Sequence, residues 1–198
     1  MTIARMEIEY LTEGERAALG PMRRDLAETY ATWVNRIEVR SGLSNLGIFD
    51  RQSEEGFLDE VAKENGRPEP TAANFTIYDR RDGEPVGTCA LMNIDYRHAR
   101  SGFGIMLGER RGEGIGTEAT RLTLDWAFNV LSLSNVRLEV MPWNAGAIRA
   151  YEKAGFKLLG RRRGALLVGG RRVDEIYMDA VPGDLTDSAL AARLPSGE

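Results

Sequence analysis

Positions 110–119 read RRGEGIGTEA and have the residue types of a phosphate-binding loop. Three glycines at every second position let the backbone approach an anion closely, and the amides at the start of a following helix would point towards it. Gly114–Ala119 matches G-x-G-x-x-G/A, which is typical of dinucleotide-binding loops. Arg111–Gly116 matches R-x-x-G-x-G, which is typical of loops that bind acyl-coenzyme A. The two interpretations predict different enzymes.

The surroundings of the loop favour the acyl-coenzyme A interpretation. A dinucleotide site expects an acidic residue about 20 positions beyond the motif, and Glu139 stands there. A doubly wound fold, however, needs repeated βαβ units, whereas antiparallel strands are predicted before this loop and only one further helix after its own. Arg111 directly precedes the tight turn, where its guanidinium would supplement the amides on a pyrophosphate. A Walker loop is excluded because no Gly-Lys-Ser/Thr follows at the required spacing.

Other reactive side chains are few. Cys89 is the only cysteine and His98 the only histidine among 198 residues, which excludes a disulfide framework and a multi-cysteine zinc site. We therefore expect no metal site. The net charge of −4 gives no global attraction for nucleic acid, and no apolar stretch approaches the ~20 residues of a membrane span. We expect a cytoplasmic protein with neither nucleic-acid nor membrane partners.

Hydrophobic periodicity predicts the elements that must position the loop. A strand at Met6–Tyr10 is followed at Thr12–Glu15 by the spacing of a capping box, which predicts a helix start. Further helices are predicted over Leu26–Ile37, from Ser53, over Ile115–Val130 and over Ala145–Ala154. Further strands are predicted at Phe75–Tyr78, Pro85–Ile94, His98–Leu107, Val136–Met141, Phe156–Gly160, Leu166–Val168 and Val173–Met178.

This order predicts an α+β fold with a mixed, mostly antiparallel central sheet flanked by helices. Residues 1–181 would form a single domain. Residues 182–198 contain Pro182, Pro195 and several small or polar residues, which predict a flexible C-terminal tail.

Four segments carry a resemblance to a known family. They are GIML at 104–107, RRGEGIGTEA at 110–119, VRLEV at 136–140 and NAGAIRAYEKAGF at 144–156. In these segments the chain resembles the GNAT superfamily of acetyl-CoA-dependent N-acetyltransferases, most of all the branch with the ribosomal-protein N-terminal (Rim-type) enzymes. The resemblance is strong over residues 74–180 and extends to the first 70 only in outline.

The resemblance implies a splayed strand pair that admits the pantetheine arm of acetyl-CoA. Backbone groups of Ile105, Met106 and Leu107 would hold the pantetheine amides, and one of them would also stabilise the oxyanion of a tetrahedral intermediate. Asn144 would cap its helix and contact the coenzyme. The residues implied for the pyrophosphate are Arg111, Gly112, Glu113, Gly114, Ile115, Gly116 and Thr117.

Tyr151 matches the family tyrosine that protonates the departing thiolate, and a phenol stays protonated at neutral pH. The general base is less clearly indicated, because Gly102 occupies the position where many members of this branch carry a glutamate. Glu139 is the best remaining carboxylate, ahead of His98 and Asp95. A water relay through backbone carbonyls would need no dedicated base.

The expected acceptor is a primary amine: a protein N-terminus, an antibiotic, a polyamine or an amino sugar. Tyr30, Trp33 and Trp143 are the predicted walls of its pocket. The resemblance makes a homodimer plausible. The alternative functions are an NAD(P)-dependent oxidoreductase that uses Gly114–Ala119 with Glu139, and a non-catalytic acyl-CoA-binding module.

Overall fold

The computed structural model describes residues 9–42 and 47–190. The start of the predicted strand at Met6–Tyr10 and the last part of the predicted tail, 191–198, lie outside the described residues. The strands are β1 Thr12–Glu13, β2 Ala17–Pro21, β3 Ala73–Asp79, β4 Pro85–Asp95, β5 Arg100–Leu107, β6 Asn135–Val140, β7 Lys157–Val168 and β8 Arg171–Ala180. The helices are α1 Ala27–Asn35, α2 Ile37–Arg40, α3 Arg51–Asn65, α4 Ile115–Asp125 and α5 Ala145–Ala154.

The eight strands form one mixed sheet in the order β1-β2-β3-β4-β5-β6-β8-β7. β5 and β6 are parallel, whereas the other neighbours are antiparallel. This is the predicted α+β architecture. The single parallel pair, joined through α4, is the only βαβ unit that a dinucleotide interpretation could use within the described residues.

Helix α4 follows the glycine-rich loop and fixes it to the sheet. Its apolar stripe of Ile115, Ala119 and Leu122 is buried in the main core, as the three- and four-residue spacing predicts. The helix continues as a wider π-helical turn over Trp126–Val130. The buried carboxylate of Asp125 at this junction accepts hydrogen bonds from the Ser188 hydroxyl and the Leu190 amide. The end of the domain at residue 181 and the flexible tail after it stay predictions.

The helix predicted to start at Thr12–Glu15 is wrong, because Thr12–Glu13 forms strand β1 and the chain then turns into β2. Ala17, Ala18 and Leu19 are completely buried where β2 pairs with β3, so sheet pairing overrides the local capping pattern. The helix predicted over Leu26–Ile37 ends at Asn35, since Arg36 adopts an extended conformation before the short α2.

Candidate active site

Strands β5 and β6 separate at the centre of the sheet. They pair only from Arg100 to Gly102 on β5, after which β5 stays with β4 and β6 stays with β8. A cavity of about 460 Å³ opens in this gap. Ile105, Met106 and Leu107 line one side of it, and Glu139 of β6 lines another. The inner edge of β5 can therefore receive a peptide-like chain in the manner of an added strand.

The glycine-rich loop closes one end of the cavity. Gly112 and Gly114 have φ angles of +85° and +86°, which favour glycine, and Gly114 is the N-cap of α4. A Cβ atom on Gly116 would lie 2.9 Å from Leu107 Cδ1, so glycine lets α4 approach β5. The lining contributed by this segment is Arg111, Gly112, Gly114, Gly116 and Thr117. An anion there would meet the positive end of the helix dipole.

The two arginines that open the loop have different surroundings. Arg110 is paired with the carboxylates of Asp79 and Asp82. Arg111 instead donates from Nε to the carbonyl oxygen of Leu107, at 2.9 Å, and lines the cavity. A carbonyl orients a guanidinium without cancelling its charge, which leaves Arg111 suited to a phosphate. Arg149 and Lys153 of α5 add positive charge to the same cavity.

The side chain of Asp79 fixes the start of the glycine-rich loop. Its side chain is 1% exposed. The Arg81 guanidinium, together with that of Arg110, holds the pKa of Asp79 well below its ordinary value despite burial. Arg81 also contacts the Glu113 carboxylate at 2.5 Å. The cavity lining therefore does not include Glu113, and it does not include Ile115, whose side chain lies in the core.

Tyr151 reaches the cavity from α5. Its ring is packed edge-on against Phe103 and Phe156, with centroids 6.2 and 5.9 Å away. Burial raises the pKa of Tyr151 to about 12, so the phenol carries its proton at any physiological pH. Asn144, which also lines the cavity, caps α5 by accepting a hydrogen bond from the Ala147 amide at 3.2 Å.

The side chains considered for the general base, Glu139, Asp95 and His98, lie in different places. Glu139 lines the cavity, and its Oε1 is 3.8 Å from Nη2 of Arg137. Asp95 is the last residue of β4 and His98 lies on the turn that follows, with Asp95 Oδ2 2.9 Å from His98 Nδ1. Neither belongs to the cavity lining. Glu38 of α2 does line the cavity. Sequence reasoning missed it because no pattern indicated that the chain turns at Arg36.

The three predicted aromatic walls do not line the cavity. Tyr30 is buried, and its hydroxyl is 2.6 Å from Thr76 Oγ1. The Trp33 ring is also buried and lies against Gly108, where a Cβ atom would come within 2.1 Å of it. Trp143 is 46% exposed, and its Nε1 donates to the Ser41 carbonyl at 3.3 Å. Trp33 and Trp143 thus support the elements that border the cavity.

Residues 9–42 and 47–190 contain no group of three or more His, Cys, Asp or Glu side chains placed to hold a metal ion. None of their helices combines the length and apolar character that crossing a membrane requires.

Comparison with known proteins identifies a family and relatives of this chain. A family model described as an acetyltransferase (GNAT) domain matches residues 16–157. A spermidine N(1)-acetyltransferase from Escherichia coli (strain K12) is 35% identical over 98 residues, which cover 49% of this chain and 53% of the relative. The chain spans about half the length of the curated relatives it matches.

Solved structures share the fold. A spermidine N-acetyltransferase from Vibrio cholerae, in complex with CoA and spermine, superposes with a TM-score of 0.77 at 20% identity and covers 88% of this chain and 100% of its own. A ribosomal-protein-S5-alanine acetyltransferase from Vibrio fischeri superposes with a TM-score of 0.73 at 22% identity, over 88% of this chain and 98% of its own.

Proposed function

Because this chain belongs to the acetyltransferase (GNAT) family, we propose that it is an enzyme that transfers the acetyl group of acetyl-CoA to a primary amine. One observation carries the proposal: a single cavity is lined by the open edge of β5, by the glycine-rich loop with Arg111, and by Tyr151. The first binds a peptide-like arm, the second binds a pyrophosphate, and the third supplies a proton.

The residues around the cavity fit acetyl-CoA along its length. Ile105–Leu107 offer backbone donors and acceptors to the pantetheine amides. Arg111, Gly112, Gly114, Gly116 and Thr117 line the end of the cavity where two phosphates would lie, and the loop amides and the Arg111 guanidinium would bind them. Arg149 and Lys153 lie on α5, where they would stabilise the remaining negative charge.

Each chemical step has a candidate residue. The amine nitrogen attacks the thioester carbonyl carbon, and a backbone amide of Ile105–Leu107 stabilises the oxyanion. Glu139 takes the proton that the nitrogen loses on becoming an amide. The carbon–sulfur bond then breaks, and the Tyr151 hydroxyl gives its proton to the departing sulfur. The acetyl group passes directly from sulfur to nitrogen, and no covalent enzyme intermediate forms.

The charges at the cavity favour a cationic acceptor. Glu38 and Glu139 both line it, from α2 and β6, and a carboxylate that faces a cavity attracts an ammonium group. We assign Glu139 to the reacting amine and Glu38 to a second cationic group of the acceptor. The relative named as a spermidine acetyltransferase acts on such a polycation, which supports a polyamine or an aminated small molecule over a peptide N-terminus.

Free-thiol release from acetyl-CoA tests this proposal with a panel of amines. A diamine should be acetylated with a lower KM than a monoamine of the same length. Glu38→Gln should raise the KM for the diamine about 2- to 5-fold, the loss expected for one exposed charge contact, and leave the monoamine KM unchanged.

The matched control for Glu38→Gln is Glu28→Gln, because Glu28 is an exposed glutamate of α1 that does not line the cavity. Equal KM values for the diamine and the monoamine would refute the assignment of Glu38 to a second cationic group of the acceptor. A protein that binds acetyl-CoA but releases no thiol, whichever amine is added, would instead be the non-catalytic acyl-CoA-binding module.

A further inference from the structure

An arginine from the far end of the sheet lies beside the glycine-rich loop. Arg16, on the turn between β1 and β2, donates from Nη1 to the carbonyl oxygen of Glu113 at 3.0 Å. The same nitrogen would be 3.2 Å from a Cβ atom at Gly114. The guanidinium is thus in contact with the backbone of a loop whose neighbouring residues, Gly112 and Gly114, line the cavity.

Glu118 holds this turn in place. Its carboxylate, in the first turn of α4, accepts hydrogen bonds from three consecutive amides of the turn: those of Glu15, Arg16 and Ala17, at 3.1, 2.6 and 2.5 Å. Charge-assisted hydrogen bonds to a carboxylate are among the stronger ones in proteins. The turn that carries Arg16 is therefore fixed to the helix that begins at the loop.

The charge of Arg16 is not cancelled by its anchor. The Glu113 carboxylate is engaged by Arg81, and Arg16 binds only the neutral Glu113 carbonyl among the contacts described for its side chain. A guanidinium has five N–H donors, so one carbonyl contact leaves donors for an anion. Arg111 likewise donates to a backbone carbonyl, whereas Arg110 is paired with two carboxylates. Arg111 lines the cavity, and Arg16 lies outside that lining, in contact with the loop backbone.

We propose that Arg16 is a further binding residue for the pyrophosphate of the coenzyme, and that Glu118 is its positioning residue. This inference rests on the proposed function, because it takes the loop to bind coenzyme A. The pattern RRGEGIGTEA gives no indication of it, since Arg16 lies about 100 residues earlier in the chain and reaches the loop only through the fold.

Compounds that carry different phosphate groups of the coenzyme test whether Arg16 binds the pyrophosphate. Calorimetric Kd values for coenzyme A and 3′-dephospho-coenzyme A, together with kcat/KM for S-acetylpantetheine, should be measured on the full chain. Arg16→Ala should weaken both nucleotides about 5- to 20-fold and to the same extent, because one charge-assisted contact is lost. The phosphate-free pantetheine donor should be unaffected. Arg16→Lys should recover part of the loss.

Two further variants separate binding from folding. Arg97→Ala, an exposed arginine on the turn between β4 and β5, should leave all three values unchanged. Glu118→Gln should weaken both nucleotides as well, and combining it with Arg16→Ala should add little, because Glu118 acts through Arg16. Independent, additive losses would contradict the positioning role of Glu118.

The outcomes distinguish this inference from the function on which it depends. Wild-type protein that binds no coenzyme A would overturn the proposed function. Wild-type binding that Arg16→Ala leaves intact would overturn only the role of Arg16. A loss confined to coenzyme A would assign Arg16 to the 3′-phosphate and refute the pyrophosphate. A loss that extends equally to S-acetylpantetheine would show a purely structural effect.

Discussion

Tyr151 and Glu139 reach one cavity from different elements, α5 and β6. This placement suits two opposite proton transfers, one from the phenol to sulfur and one from nitrogen to the carboxylate. Because the Tyr151 ring is packed against Phe103 and Phe156, its hydroxyl is held in one position while the ring contributes to the core.

Replacing Tyr151 by phenylalanine keeps the ring and removes only the acidic proton. We expect kcat to fall about 10²- to 10⁴-fold, the usual contribution of a positioned general acid, with an unchanged KM for acetyl-CoA and an unchanged melting temperature. Steady-state thiol release measures the first two. Tyr96→Phe is the control, since its hydroxyl donates to the Pro70 carbonyl away from the cavity. Full turnover by Tyr151→Phe would refute the assignment.

The pH dependence of kcat follows from the raised pKa of Tyr151. In its proposed role as general acid the residue acts in its protonated form and, because burial raises its pKa to about 12, it keeps that proton throughout the assay range. The rate should therefore rise with pH as the acceptor amine loses its proton, and then stay level to about pH 10. A profile of kcat that falls between about pH 8 and 10 would indicate a general acid with an ordinary or lowered pKa.

Among the single residues of the site, the sequence predicts those that belong to local motifs. Arg111, Asn144 and Tyr151 stand in continuous patterns, and all three line the cavity. Glu118 and Arg16 were missed because their partners are distant in the chain, whereas Glu38 was missed because no pattern indicated that the chain turns at Arg36. The three amides that bind Glu118, for example, come from a turn about 100 residues earlier.

Among the elements, the separation of β5 from β6 creates the cavity, and the anchoring of the loop shapes one end of it. The main anchor is the buried carboxylate of Asp79 at the end of β3, with Arg81 and Arg110 as partners. Arg110 has a positive φ of +52°, which is uncommon for a residue with a side chain. The two ion pairs therefore stabilise the turn that starts the loop.

Asp79→Asn should destabilise the protein and show a characteristic pH dependence. Since the folded state lowers the pKa of Asp79, the carboxylate contributes stability above its unfolded pKa of about 3.9 and loses it as the pH falls further. We expect a loss of about 1–3 kcal/mol in the free energy of unfolding at pH 7, measured by urea denaturation. The difference from wild type should narrow below about pH 4.

Asp82→Asn is the control for this prediction. Its side chain is 40% exposed and shares Arg110 with Asp79, so its loss should be smaller. Equal stability of Asp79→Asn and wild type at pH 7 would contradict the anchoring role.

Periodicity predicted most elements because their apolar faces are regular, as in β3, β4, β5 and α4. It failed at Thr12–Glu15, where a capping pattern is local but burial is decided by pairing with β3. The separation of β5 and β6 was expected only from the family resemblance, because the strand pattern is the same whether or not two strands stay paired.

Over the whole molecule, the described residues form one mixed sheet with a single parallel pair, flanked by helices. The chain belongs to the acetyltransferase (GNAT) family. That topology decides between the two interpretations of RRGEGIGTEA. A doubly wound sheet with repeated βαβ units, which a dinucleotide-binding fold requires, is not what residues 9–42 and 47–190 form. Gly114–Ala119 therefore matches the dinucleotide pattern by coincidence.

Ligand-induced thermal stabilisation tests most directly whether this loop and the open edge of β5 bind the acetyl donor. A ligand that binds only the folded protein raises its melting temperature by an amount that grows with ligand concentration. Acetyl-CoA and coenzyme A should stabilise the protein in this way, and NADH and NADPH should not. Stabilisation by a nicotinamide dinucleotide with none by acetyl-CoA would contradict acetyl-CoA binding at this loop.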